Sequence, residues 1–377
     1  MKSPKSRSGS DSDVESDTSY TILMEKIPFN TFRFHVINFF LLKICPYATA
    51  DEVVVEHLSG CEKNRVISVS WQPDGKPDFR GRYIIRIPRF DAAQLNHQLA
   101  TLRFLRLLGN IPVPVVLTFD NTDDNLLGSK YMVQNYIPGT TLLSSYPSLT
   151  HEERCRVARE LGRIYHELLA TRSDALGFLT LPRGDTDYSD SPTPRDVHRL
   201  LIKIFLSRWG RLDRLLCRSH PLARLGDNFC YMALELAAGG WFANCHISLA
   251  HLDLEPHNIL VNPTSDTRLP IISAVLGWDS AVFVPQFMCC QPPMWLWAWK
   301  NNEDRRHANE TPPTPEGCQI KQLFEEAAGP DYLRFAYCPA YRLARRLVRF
   351  AVEGVRSYED YVEAGRMLEE WIAVRTP

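Results

Sequence analysis

Most of the chemically suggestive side chains in this 377-residue sequence lie in one stretch, His251-Leu-Asp-Leu-Glu-Pro-His-Asn-Ile-Leu-Val261. Asp253 precedes Asn258 by five positions, and Asn258 leads directly into an apolar run of strand type. Pro256 keeps the intervening residues out of a helix. Such a loop can hold Asp253 and Asn258 around one phosphate group. The carboxylate orients an attacking hydroxyl or accepts its proton, and the amide oxygen is a neutral Mg²⁺ ligand beside phosphates. His251 can fix the loop by hydrogen bonding to backbone. Taken alone, the Asp–Asn pair equally fits a polar turn with Asx-type bonds before a strand.

The elements that must position this loop follow from periodicity. Val66 to Trp71 and Tyr83 to Ile87 are short, β-branched and aromatic, and the turn formers between them predict a β-hairpin with a long loop. Asp91 and Gln94 have capping-box spacing, and Leu95, Leu99, Leu102 and Leu105 form the apolar stripe of a helix that Gly109 ends. Lys130 to Ile137 reads as another strand, closed by Pro138-Gly139. Thr150 and Glu153 form a second capping box ahead of a helix with Val157, Leu161, Ile164 and Leu168 on one face. Helices are expected over Arg195 to Arg218, over Asp227 to Phe242, and within Gln319 to Val374. A strand-like interruption spans His251 to Val284. The order is α+β, with a β-rich first part and a larger helical second part. The expected organisation is a disordered tail at 1–20, a helical extension at 21–50, a β-rich lobe at 51–138 and a helical lobe at 139–377.

Composition narrows the function classes. A net charge of −1 gives no electrostatic case for nucleic acid or anionic membranes. Residues 1–20 are rich in Ser, Asp and Lys, which predicts a disordered tail. The run Phe32 to Cys45 is too short to span a membrane and carries Arg33, His35, Asn38 and Lys43, so it reads as an amphipathic helix packed on the body. The ten cysteines include no C-x-x-C pair. With no export signal, this predicts reduced thiols in a cytoplasmic protein. Cys289 and Cys290 read as packing residues.

The full H-x-D-L-x-P-x-N-I-L-V spacing agrees with the kinase catalytic loop H-x-D-x4-N. The segment resembles the catalytic loop of the aminoglycoside phosphotransferase family, especially its fungal members. The resemblance runs over roughly residues 50 to 300. Leu58-Ser-Gly-Cys-Glu-Lys-Asn-Arg-Val66 is similar to the family's loop over the nucleotide phosphates, and Tyr83-Ile-Ile-Arg-Ile-Pro-Arg89 to its strand carrying a phosphate-binding cation. Ala100 to Arg106 with Ile111-Pro-Val-Pro114 resembles the next helix and its exit. Gly128 to Met132 and Ile137-Pro-Gly139 resemble the edge strand leading to the hinge. Ala274-Val-Leu-Gly-Trp-Asp-Ser-Ala281 stands where the family has a metal-binding Asp-Trp segment.

The resemblance implies a protein-kinase-like bilobal fold and ATP-dependent phosphorylation of a hydroxyl on an unidentified small-molecule acceptor. It implies Asp253 as the catalytic base or hydroxyl-orienting group, and Asn258 as an Mg²⁺ ligand. It implies Ser59, Gly60 and Arg86 at the nucleotide phosphates and Gln134 to Pro138, including Tyr136, at the adenine. Two positions depart from the family. Gln98 stands where a carboxylate partners the cation, and Gly277 where a metal-ligand Asp precedes Trp278. Asp279 is the substitute candidate, displaced about 6–7 Å along the chain if the segment is extended. A surface or helix-capping carboxylate is the other reading of Asp279. A catalytically impaired relative, kept as a nucleotide-binding or interaction module, is the alternative to an active enzyme. Trp295, Trp297 and Trp299 fit core packing or an acceptor pocket. Glu303 and Asp304 fit a solvated loop or an amine-attracting one.

Overall fold

The computed structural model of the chain describes residues 28–58, 64–73, 81–89, 93–180, 197–212, 221–243, 245–263, 266, 268–299 and 311–375. The expectations for the tail at 1–20, for Ser59 and Gly60, for Asp91 as a helix cap and for Glu303 and Asp304 fall outside these residues. Chain contacts define two compact units, Met1–Arg103 with Pro114–Ile137, and Phe104–Val113 with Pro138–Pro377.

The first unit is built on a five-stranded antiparallel sheet. Its strands are β1 (Val53–Leu58), β2 (Asn64–Trp71), β3 (Gly81–Pro88), β4 (Val116–Asp120) and β5 (Tyr131–Asn135), in the order β1-β2-β3-β5-β4. Helix α1 (Phe29–Phe39) continues into a π-helical turn, Phe40–Ile44. The spacing of Phe32, Val36, Phe39 and Phe40 puts all four on one face. They join Ile67, Val69, Ile85 and Val133 of the sheet in one buried cluster. Phe39 meets Tyr131 edge-on at 4.8 Å between centroids. Helix α2 (Ala93–Leu108) buries the expected leucine stripe and ends at Gly109, whose φ of +74° suits a residue without a side chain. Strand β1 was not singled out by sequence. Val53-Val-Val-Glu-His-Leu is short, and it pairs antiparallel with β2 along its whole length.

The second unit is mainly helical. Its first elements are β6 (Thr140–Thr141), α3 (Leu142–Ser145), α4 (His151–Ala170), β7 (Arg172–Ser173), α5 (Val197–Leu212) and α6 (Pro221–Ala238). Then come β8 (Ile247–Ala250), β9 (Ile259–Val261), β10 (Ile272–Val275), β11 (Val282–Pro285) and α7 (Gln286–Cys289). The last helices are α8 (Pro315–Tyr337), α9 (Pro339–Glu353) and α10 (Tyr358–Arg375). The Thr150–Glu153 capping box forms as expected, with the Thr150 N–H donating to Glu153 Oε2 at 2.8 Å. Helix α6 lies several residues upstream of its expected span. Pro221 suits a first helical turn, and Gly240 in left-handed geometry ends the helix. The expected strand-like interruption holds β9, β10 and most of β11, which join the earlier strands β6, β7 and β8 in two small antiparallel sheets, β10-β9-β6 and β11-β8-β7.

Helices α4 and α8 pack closely at Gly162. A Cβ there would lie 2.5 Å from the Phe324 carbonyl oxygen and 2.7 Å from Ala327 Cβ. These are backbone and short side-chain atoms that cannot swing away. The Gly162→Ala variant should therefore lose on the order of 1–3 kcal/mol of stability despite the better helix propensity of alanine. A urea midpoint equal to or above that of the unsubstituted chain would contradict this.

Candidate active site

Strand β8 delivers His251 into the interior, where it is 2% exposed. Its Nε2 donates to the Leu276 carbonyl at 2.7 Å, and its Nδ1 accepts from the Asp253 N–H at 3.2 Å. Those partners require the neutral Nε2–H tautomer. Burial pushes the His251 pKa down to about 4, against the opposing pull of the Leu276 carbonyl, Asp253 and Asp279. The ring also packs edge-on against Trp278, 4.5 Å between centroids. Leu276 closes the arrangement from its other side, because its N–H donates to the Asn258 carbonyl at 2.7 Å. One residue thus ties both ends of the 251–258 loop to the segment after β10.

Asp253 and Asn258 meet directly. Asn258 Nδ2 donates to Asp253 Oδ2 and to the Asp253 carbonyl, each at 2.8 Å. Both neighbours are acceptors, so the NH₂ side of the amide must face them, and Oδ1 is left for any cation. His257 Nε2 lies 3.4 Å from Asp253 Oδ2 on the exposed side. The turn Pro256–Asn258 is 3₁₀-helical and feeds β9.

Gly277 has φ +76° and ψ +31°, and the Asn258 amide lies flat against it. A Cβ at 277 would come within 2.6 Å of Asn258 Cγ and Oδ1. The Asn258 amide thus occupies the space that any side chain at 277 would need. The segment is not extended either, which corrects the geometry expected for Asp279. After the left-handed Gly277 it turns at once into the 3₁₀ turn Trp278–Ser280, with Trp278 Nε1 donating to the Val275 carbonyl. Asp279 is half-buried in that turn, and its charge is felt by His251. Among the described residues no group of three or more His, Cys, Asp or Glu is placed to hold a metal. Mg²⁺ carried by nucleotide phosphates needs only one or two protein oxygens, and Asn258 Oδ1 and Asp279 are of the right type.

The first unit holds the other expected residues. Arg86 is 8% exposed on β3, opposite Val66 and Met132. Gln98 is 2% exposed in α2, and its Nε2 has no hydrogen-bond partner among the described residues. Gln134 is 3% exposed in β5, with its amide 3.8 Å from Met132 Sδ. The Asn135 and Tyr136 N–H groups donate to the Val115 and Arg82 carbonyls, at 3.1 and 3.2 Å. Neither is open to a purine. The Tyr136 ring lies under the Arg82 guanidinium, 4.1 Å away.

Sequence reasoning missed a cavity in the second unit. It has a volume of about 830 Å³ and reaches the loop at His251, Leu252 and Asp253. Trp295 and Cys289 line it. Trp295 and Trp297 are buried, and Trp299 stacks on Tyr146 at 4.5 Å. Cys289 and Cys290 are buried with thiol pKa values pushed up by burial, as packing residues would be.

A β-rich unit and a mainly helical unit carrying an Asp–Asn loop after a buried His define the kinase-like phosphotransferase class. The model of the phosphotransferase enzyme family matches residues 59–286, more than half of the chain, and the chain belongs to that family. Solved structures of similar fold include the GDP complex of wild-type aminoglycoside 2'-phosphotransferase-IIIa. It is 15% identical, with 90% of this chain and 98% of that one covered and a TM-score of 0.51. Another is a thermostable mutant of aminoglycoside phosphotransferase APH(4)-Ia in ternary complex with AMP-PNP and hygromycin B. It is 18% identical, with 90% and 98% covered and a TM-score of 0.50. Among curated proteins, a subtelomeric hrmA-associated cluster protein of Aspergillus fumigatus is 30% identical over 104 residues, 26% of this chain. The chain spans about a fifth of the length of that relative. Among the described residues, no helix is long and apolar enough to cross a membrane.

Two outcomes follow from this geometry. The folded pKa of His251 lies below its ordinary value of 6.5, so protonation favours the unfolded chain. The stabilisation is complete above pH 6.5 and is lost as pH falls toward 4, on the order of 3 kcal/mol in all. Urea midpoints should fall across that window, and less steeply in His251→Gln. A second outcome concerns residue 277. Gly277→Asp should destabilise by about 1–3 kcal/mol, since it adds left-handed strain and displaces Asn258. Combining it with Asn258→Ala should recover part of that loss in a double-mutant cycle; strict additivity would show that the two positions do not compete for space.

Proposed function

We propose that the chain is an ATP-dependent phosphotransferase acting on a hydroxyl group of a small molecule. The observation that carries this reading is the Asp253–Asn258 pair, locked by a buried neutral His251 whose two ring nitrogens are both committed to backbone. Asp253 orients the acceptor hydroxyl and takes up its proton. Asn258 holds the Asp253 carboxylate through Nδ2, and its Oδ1, with Asp279, would hold the cation. Mg²⁺, when bound, supplies neutralisation of the phosphate charge. Arg86 of the first unit holds the nucleotide phosphates. Gln134 and Tyr136 belong to the adenine-binding segment, with the purine edge served by carbonyl groups or by residues beyond Tyr136, since the Tyr136 N–H is already used.

A second reading, a relative with little or no turnover, is favoured by one observation. Asn258 rests on Gly277 where the anionic metal anchor would project. The two readings separate by calorimetry of ATP binding with and without Mg²⁺, followed by a phosphoryl-transfer assay. Metal-stimulated affinity with turnover supports the enzyme. Metal-independent binding, or none, supports the impaired form. In the active case, Asp253→Asn should lower turnover by about 10²–10⁴-fold with nucleotide affinity almost unchanged. Asp279→Ala should raise the Mg²⁺ concentration needed; an unchanged requirement would remove Asp279 from the metal site.

A further inference from the structure

We propose that the cavity beside Asp253 takes an acceptor with an apolar body and an anionic group, bound through the arginine face of α9. This rests on the reading of Asp253 as the hydroxyl-orienting residue. Residues 342, 345, 346 and 349 are all arginines spaced to share one face of α9, and all four line the cavity. Their formal charges are matched in number by Asp253, Glu255, Glu353 and Glu363, which also line it. The pairing is uneven. Arg346 is bonded to Glu363 and Glu370, each at 2.7 Å. Arg342 lies 3.7 Å from Glu370. Arg349 lies 3.8 Å from both Glu353 and Asp360, too far for a tight bond.

Arg345 differs from the other three. Among the described residues no carboxylate lies within ion-pair distance of it. Its guanidinium donates only to the carbonyls of Phe287, Phe335 and Ala336, at 3.1, 2.5 and 2.7 Å. Carbonyls fill three of its five donor positions and bring no net charge. Arginine keeps its proton under burial, so a positive charge without a counter-charge stands at the cavity wall. An anionic ligand group would supply that charge, with Arg349 free to give up its long ion pairs and add a second donor.

The apolar part follows from Leu252. It is the one non-glycine residue with positive φ among the described residues, at +60°. It lines the cavity, yet it is 55% exposed. A leucine held in left-handed geometry and more than half exposed has little core packing to offset its strain. Contact with a ligand would give it a packing partner. Pro292, Pro293 and Trp295 continue the apolar wall. A polycationic acceptor would meet the arginine face unfavourably.

The test measures binding to the full chain without nucleotide, so it does not depend on catalysis. The probes are 3-(4-hydroxyphenyl)propanoate, its primary amide, and tyramine, followed by calorimetry or ligand-observed NMR. The carboxylate should bind at least about tenfold more tightly than either of the others. Arg349→Gln should remove much of that preference while leaving amide binding in place. Arg345→Lys should do the same; because Arg345 also holds the last carbonyls of α8, its melting curve is recorded in parallel, and Arg349→Gln carries the test if it unfolds. Leu252→Ala should weaken all three probes alike. Equal affinities, preference for tyramine, or binding of none of the three would overturn the proposal. Transfer activity with an amine-preferring pocket would refute the pocket assignment alone, and acid binding without transfer would refute only the phosphotransferase reading.

Discussion

The Asn258 amide rests against residue 277 because that residue has no side chain. The same amide donates to both the carboxylate and the carbonyl of Asp253, so the position of Asp253 depends on Gly277. Left-handed geometry at Gly277 also starts the turn that places Trp278 against His251 and brings Asp279 into its neighbourhood. The Asn258 amide, bonded to the Asp253 carboxylate, takes the space that a side chain at 277 would need.

His251 and Leu276 hold this arrangement in register. The imidazole uses one nitrogen as donor and the other as acceptor, and burial keeps it neutral in the physiological range. A neutral ring between two backbone groups stiffens the loop without adding charge beside the Asp253 carboxylate. The left-handed Leu252 lies between the buried His251 and Asp253, at a bend in the chain. Strained backbone of this kind persists only where its surroundings over-determine it.

The loop's geometry was legible because its residue types and spacing are local facts. His251, Asp253 and Asn258 fall within eight residues and come together as the spacing implied. The leucine stripe of α2 and the capping box of α4 were legible for the same reason. Strand β1 went unread although Val53-Val-Val is β-branched; its pairing with β2 is what the structure adds. The arginine face of α9 was hidden for a related reason. Four arginines at helical spacing look like a solvated face, and only packing shows which have acids and which has carbonyls alone.

The sequence alone determined the α+β order of most elements, the spacing of Asp253 and Asn258 and the absence of an aspartate before Trp278. Those depend on side-chain type and on neighbours a few residues apart. Tertiary structure decided what fills the space at Gly277, that the 277–280 segment bends, and that a cavity with an unmatched arginine adjoins Asp253. Each of these depends on atoms far apart in the chain competing for the same volume or charge, which no local pattern encodes.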